Sequence, residues 1–298
     1  MSLIFIFVDG IGVGPGGNYN PLDDPNWTFF KEFTGVDGLH NGCKTHQTDN
    51  VLYKPIDANL GVQGLPQSGT GQVTLFSGKN ASKEIGKHFG PFPHSKTKQF
   101  LKNGSLFHQV KELQKSPHFI NAYPDIFFER AEQRNRWTAT TLMVKSVDIR
   151  LNSVSDVKEG KAVTAEIKQN IWRERLNLDV PEITEEAAAD RVLKAAEIHD
   201  LVLYEFYLTD KAGHKMDHAY AGEIRDVLNP FLLHIIKNLS DDDTFVLTSD
   251  HGNLEDLRIK THTRNPVPLL VKGDVEYFKD VESILDVTPS IVNHLQNR

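Results

Sequence analysis

The chain has 298 residues, 39% hydrophobic and 24% charged, an ordinary globular mix long enough for one large domain or two smaller ones. A formal net charge of −7 argues against nucleic acid as the main partner, which would favour a basic footprint. Cys43 is the only cysteine, so an intrachain disulfide and a cysteine-rich zinc site are excluded, while 13 histidines leave imidazole ligation open.

The chain opens on an apolar run, LIFIFV at 3–8. It is too short to span a membrane, lacks a basic flank and is stopped by Asp9, so it reads as a buried parallel strand rather than a leader. A cytoplasmic, unanchored protein is the expectation. DGIGVG at 9–14 follows, with glycines that allow tight turns and close backbone approach but without dinucleotide-binding spacing. Residues 15–64 are rich in loop formers. GLPQSGTGQ at 64–72 then opens a helix near 73–76, with Ser68 placed as N-cap or first-turn residue. Gly78 ends that helix, and 84–95 is a Gly/Pro/His loop.

Between about 96 and 190 the character changes. Helices are expected at 106–113 and 185–198, separated by short apolar stretches and dense charge, including Arg130, Arg134 and Arg136 beside Trp137. Alternation resumes with a strand at 201–208 ending in Thr209-Asp210. A long amphipathic helix at 221–239 follows, broken or kinked at Pro230. TFVLT at 244–248 is the next strand, and it runs directly into Ser249-Asp250-His251-Gly252-Asn253. A last strand at 266–271 and a helical region at 281–295 close the chain. Strands alternating with helices at both ends indicate an α/β fold with a mainly parallel sheet and helices on both faces. The middle section reads as an insertion.

Candidate ligands gather at the ends of these runs: Asp9, Ser68, Asp210 with His214, Asp250 with His251, and His262. Open parallel sheets bind ligands outside the carboxyl ends of their strands. Carboxylate oxygens and imidazole nitrogens suit Zn²⁺ or Mn²⁺, and the set suffices for two ions. Two divalent ions carry four positive charges, against three from Asp9, Asp210 and Asp250. An ionised Ser68 would bring the cluster to neutrality and serve as a nucleophile. Each residue taken singly is as well explained by a strand-end turn or a helix cap. The joint order is what favours chemistry. His214 and His218 lack the glutamate of a zinc protease motif.

FVDGIGVG at 7–14, SGTGQ at 68–72 with SGKNA at 77–81, TDKAGH at 209–214, SDHGN at 249–253 and HTRNPVPLLV at 262–271 carry a resemblance. In this order they resemble the alkaline phosphatase superfamily, most closely its branch with cofactor-independent phosphoglycerate mutase and phosphopentomutase. The resemblance implies an alkaline-phosphatase-like catalytic core of residues 1–92 and 191–298, with an inserted α+β cap at 93–190. It implies one ion on Asp210, His214 and His262, and another on Asp9, Ser68, Asp250 and His251. Ser68 would be the phosphorylated nucleophile, with Thr70 a competing hydroxyl. Ser68 lies ten residues before Gly78, the spacing that branch shows. The implied activity is two-metal phosphoryl transfer on a small phosphorylated metabolite, as phosphatase or phosphomutase. A phosphodiesterase, a sulfatase and a non-catalytic metal-binding relative are the alternatives. Gln72, Lys79, Asn80, His88 and Arg264 are candidates for substrate contact. A phosphoglycerate mutase's cap is longer and carries a basic substrate-binding set, for which Arg130, Arg134, Arg136, Lys145 and Arg150 are the candidates here, a solvated charged face being the alternative role for most of them. No membrane partner is expected, and nothing in the sequence specifies an oligomeric state.

Overall fold

The computed structural model describes residues 1–298. Seven strands form one sheet: β1 (Leu3–Val8), β2 (His46–Gln47), β3 (Val51–Ile56), β4 (Pro117–Phe119), β5 (Leu201–Phe206), β6 (Thr244–Thr248) and β7 (Val267–Lys272). Their order across the sheet is β2-β3-β7-β6-β1-β5-β4. β1 is parallel to both β6 and β5, and β4 adds to β5 in parallel. β7, β3 and β2 complete the other side antiparallel. The parallel part expected from the sequence is therefore β6-β1-β5-β4, within a sheet that is mixed as a whole. The link from β6 to β7 explains the change of sense. It contains no helix, and parallel pairing needs a crossover of the kind a helix supplies.

Both faces of the sheet are covered, which is why β1 is apolar throughout. Ile4, Ile6 and Val8 enter one core, and Leu3, Phe5 and Phe7 enter the other, as the two-residue repeat of a strand requires. Helices Thr28–Thr34, Glu185–Ala196 and His218–Lys237 supply the first core. Helices Ser68–Ser77, Leu106–Glu112, Ala139–Lys145 and Val287–Gln296 supply the second. Within His218–Lys237 the buried positions Ile224, Leu228, Phe231, Leu232 and Ile235 recur at three and four residues, and Asp217 caps the start by accepting from Tyr220 N at 3.0 Å.

Three expectations need correction. The interval 93–190 is not set apart as a cap. β4 lies in it and pairs with β5, while Leu101, Phe107, Val110, Met143 and Val144 are buried in the second core. Their apolar faces need cover, and the sheet's second face provides it. Only a small cluster of Ala122, Val157, Ala162, Trp172 and Val180 stands beside the two main cores. Helix His218–Lys237 runs on through Pro230 instead of breaking there. A proline removes one N–H from the ladder, and the apolar stripe on the sheet holds the rest. Finally, β5 stops at Phe206, and Asp210 and His214 lie on helix Leu208–Lys215, one turn apart.

Candidate metal centre

Five segments converge at the carboxyl ends of the parallel strands. Asp9 follows β1 directly, and Asp250-His251 follow β6 after a single serine. Asp210 and His214 project from the helix after β5. His262 comes from the loop before β7, and Ser68 is the first residue of helix Ser68–Ser77. Gly71 allows this convergence. A Cβ there would stand 2.9 Å from the Asp250 carbonyl, so only glycine lets the helix start meet the Asp250 loop. In that first turn the N–H groups of Ser68 and Gly69 have no helical carbonyl behind them.

All seven expected ligands come together. Ser68 Oγ lies 2.9 Å from His251 Nε2. That nitrogen is 3.4 Å from Asp9 Oδ1 and 3.5 Å from Asp250 Oδ2. His262 Nε2 is 3.5 Å from Asp210 Oδ1 and 3.1 Å from His214 Nε2, which is in turn 3.3 Å from Asp210 Oδ2. The His251 and His262 rings stack with centroids 3.7 Å apart and join the two halves. Asp9, Asp250 and His251 form one group of three ligand atoms within 4.8 Å of one another, and Asp210, His251 and His262 form another. His214 sits at the exposed rim.

The donor set calls for cations. Asp9 Oδ1, both Asp250 carboxylate oxygens and His251 Nδ1 are buried with no hydrogen-bond partner, an expensive state for charged oxygens. His262 Nδ1 is 2.7 Å from Pro66 O, and His214 Nδ1 is 2.7 Å from Lys260 O. Only an N–H can satisfy those carbonyls. With Nδ1 carrying that proton, Nε2 is the nitrogen each ring has left to offer a metal, the orientation found in metal-ligating histidines. Burial, with the charges of Asp250, Asp210 and Glu205, pushes the Asp9 carboxyl well above the usual range. Burial and Asp210 push Asp250 up to about 7. Burial holds His251 down at about 3, so the ring is neutral and able to act as a ligand. For Asp210, burial is outweighed by His262, His251 and Asn253, and its carboxyl stays low. Two buried acids that resist ionisation beside one that does not mark a place where positive charge is short.

Thr70 stands apart from this centre. Its hydroxyl donates to Gln67 O at 3.2 Å and accepts from Phe89 N at 3.2 Å. The substrate-contact expectations divide. Gln72 Nε2 donates to Asp9 Oδ2 at 3.2 Å and so reaches the centre. Lys79 and Asn80 lie beyond the far end of the Ser68 helix, roughly 15 Å of helix away. There Asn80 caps the next helix through Lys83 N at 2.8 Å, and Lys79 packs over the Phe100 ring at 5.4 Å. They were expected near Ser68 because sequence proximity ignores the length of the helix between them. His88 is committed through both ring nitrogens, to Ser82 Oγ and Val62 O. Arg264 Nε donates to Gly64 O at 3.0 Å, leaving its terminal nitrogens on the surface. Among the basic residues of 93–190, Arg150 is held by both oxygens of Asp156 at 2.7 Å, and Arg136 stands over Phe92 at 5.8 Å.

Three residues outside the ligand set contribute. Asn253 Nδ2 donates to Asp210 Oδ1 at 2.6 Å and steadies that carboxylate. Thr209 Oγ1 donates to the Asp9 carbonyl at 2.5 Å. Glu205, in β5 beside Phe7 of β1, is buried with its carboxyl raised to about 7 by desolvation, and it accepts from Thr140 Oγ1 at 2.7 Å. A lone acid inside the apolar run LVLYEF was the available signal for Glu205.

Comparison with known proteins follows the geometry. The family model described as the Metalloenzyme superfamily matches residues 1–298. A phosphopentomutase of Photobacterium profundum is 28% identical over 157 residues, covering 49% of this chain and 36% of that protein. A 2,3-bisphosphoglycerate-independent phosphoglycerate mutase of Desulforudis audaxviator is 27% identical over 124 residues, covering 39% and 24%. These matches span about a quarter to a third of the relatives' length. Among solved structures, alkaline phosphatase from the Antarctic bacterium TAB5 has a similar fold, with a TM-score of 0.53 at 11% identity over 99% of this chain and 97% of that one.

Proposed function

The chain belongs to the Metalloenzyme superfamily, and from that premise we propose that it is a two-metal phosphoryl-transfer enzyme acting on a small phosphorylated metabolite through Ser68. The observation that carries the reading is the position of the Ser68 hydroxyl. It is buried 2.9 Å from His251 Nε2, inside a cluster in which Asp9 Oδ1 and both Asp250 carboxylate oxygens have no hydrogen-bond partner. The relatives named phosphopentomutase and phosphoglycerate mutase agree in reaction class.

Asp210, His214 and His262 would hold one divalent ion, and Asp9, Ser68, Asp250 and His251 the other, as Zn²⁺ or Mn²⁺. Bound there, the ions supply positive charge to the attacking and leaving oxygens of an in-line displacement and lower the pKa of the serine hydroxyl. Ser68 Oγ, its proton given up to solvent, forms the new bond to phosphorus as the ester P–O bond breaks, and the departing alkoxide takes up a proton from solvent. Water then releases phosphate from Ser68, or a substrate hydroxyl takes the phosphoryl group back. The first-turn N–H groups of Ser68 and Gly69 are placed to receive phosphoryl oxygens. Gln72 holds Asp9 in place through its amide.

Elemental analysis of protein reconstituted with Zn²⁺ or Mn²⁺ should give about two ions per chain, falling towards one in Asp210→Ala and in Asp250→Ala. A panel of sugar phosphates, assayed for released phosphate and for the isomerised ester, separates phosphatase from mutase. Full-length protein that binds no divalent ion and leaves every phosphoester untouched would end this reading.

A further inference from the structure

Glu255 is fully buried, carries a carboxylate, and takes no direct part in the centre described above. Its oxygens are nonetheless saturated. Oε2 accepts from Gly12 N at 2.9 Å and from Asn253 N at 2.7 Å. Oε1 accepts from Asn265 Nδ2 at 3.0 Å and from the Thr263 hydroxyl. Each donor belongs to a segment that presents a candidate ligand. Gly12 lies three residues after Asp9, Asn253 two after His251, and Thr263 one after His262. Asn253 extends the link to the fourth segment, donating to Asp210 Oδ1 at 2.6 Å and to Asp210 O at 3.1 Å.

The glycines of two motifs make room for this side chain. A Cβ on Gly12 would fall 2.3 Å from Glu255 Oε1, one on Gly252 2.2 Å from the same atom, and one on Gly14 2.7 Å from Glu255 Cγ. The DGIGVG run, which lacks dinucleotide-binding spacing, thus folds around a carboxylate. No shorter or differently charged group fits. Four donors converge, and an ionised carboxylate offers acceptor sites for all of them. Glutamine would turn an NH₂ towards two of the donors. Aspartate would fall one methylene short.

We propose that Glu255 is a positioning residue that fixes the separation of the ligand-bearing loops and so sets the affinity of the metal centre. This rests on the two-metal reading given above. Groups that orient metal ligands from behind typically change metal affinity 10- to 100-fold when lost. Glu255→Gln keeps the size and removes two acceptor positions, so it should weaken binding by about that factor. Asn265→Ala removes a single donor at the periphery of the network and should weaken it by less, in the same direction.

The test is titration of the metal-free, full-length proteins with Mn²⁺ or Zn²⁺ alone in competition with a chelator, with thermal unfolding of the metal-free forms measured alongside. The expected result is two ions on the wild type, weakened binding in Glu255→Gln, and a graded loss in Asn265→Ala. Metal affinity unchanged in both variants, with only the unfolding temperature lowered, would make Glu255 a brace for the loops and overturn the proposal. If Glu255→Gln does not fold, Asn265→Ala decides by the same criterion. A wild type that binds no ion would instead defeat the metal reading, whatever the variants do.

Discussion

Ser68 and Thr70 are two positions apart and differ in what their hydroxyls touch. The Thr70 hydroxyl is taken up by Gln67 O and Phe89 N, while that of Ser68 faces His251. Removing a covalent nucleophile commonly costs enzymes about 10³-fold or more in kcat. Ser68→Ala is therefore expected to lose at least that much of its phosphoester turnover in a steady-state assay, and Thr70→Ser to retain most of it. Glu205 gives a prediction that needs no substrate. Its carboxyl rises from 4.5 to about 7 on folding, chiefly through desolvation. The folded protein therefore binds that proton more tightly than the unfolded chain. The resulting stability is fully present below pH 4.5 and is lost as pH rises through about 7. In chelator-treated protein, the stability difference between wild type and Glu205→Gln should shift by on the order of 3 kcal/mol between acid and pH 8, in favour of the variant at high pH. Parallel urea-unfolding curves across that range would contradict it. Asp9, Ser68, Asp250 and His251 were legible as residues because each stands at the edge of an apolar run or opens a helix. Glu205 was not, because its importance lies in a partner distant in sequence, Thr140.

At the scale of elements, the centre depends on backbone segments approaching more closely than side chains allow. Gly71 is the clearest case, with the Asp250 carbonyl 2.9 Å from where a Cβ would stand. Gly71→Ala must push apart the Ser68 helix and the Asp250 loop. Overpacking of this kind costs about 1–3 kcal/mol, and here it should also lower metal affinity. Chemical denaturation and metal titration of the variant check both effects. The strands could be read from their apolar runs, and their ends were correct to within two residues for β1, β5, β6 and β7. What escaped was orientation and membership. The antiparallel setting of β7 follows from a helix-free connection whose path no local pattern states. β4 is three residues long, too short to announce itself, yet it draws the segment around it into the sheet. Charge density at 93–190 suggested a separate cap, but the short apolar stretches there were core-facing sides of small helices.

For the molecule as a whole, the two-metal reading predicts that metal binding and folding are coupled. No helix is long and apolar enough to cross a membrane. Two cores on either side of one sheet hold the loops that converge on the candidate centre. In the metal-free protein those loops bring Asp9, Asp210 and Asp250 together without compensating charge. Ligand that binds only the folded state stabilises it by about 2.7 kcal/mol per site at a hundredfold excess over Kd. Saturating Zn²⁺ or Mn²⁺ should therefore raise the unfolding temperature by several degrees, and chelation should reverse it. The effect should grow as pH rises through about 7, where the Asp250 carboxyl loses the proton that competes with metal. The most direct measurement of the central claim is intact-protein mass spectrometry after incubation with a panel of small phosphoesters, with and without divalent metal. One added phosphoryl group, dependent on metal and absent in Ser68→Ala, is the predicted result. Metal-dependent turnover with no adduct and no loss in Ser68→Ala would contradict it.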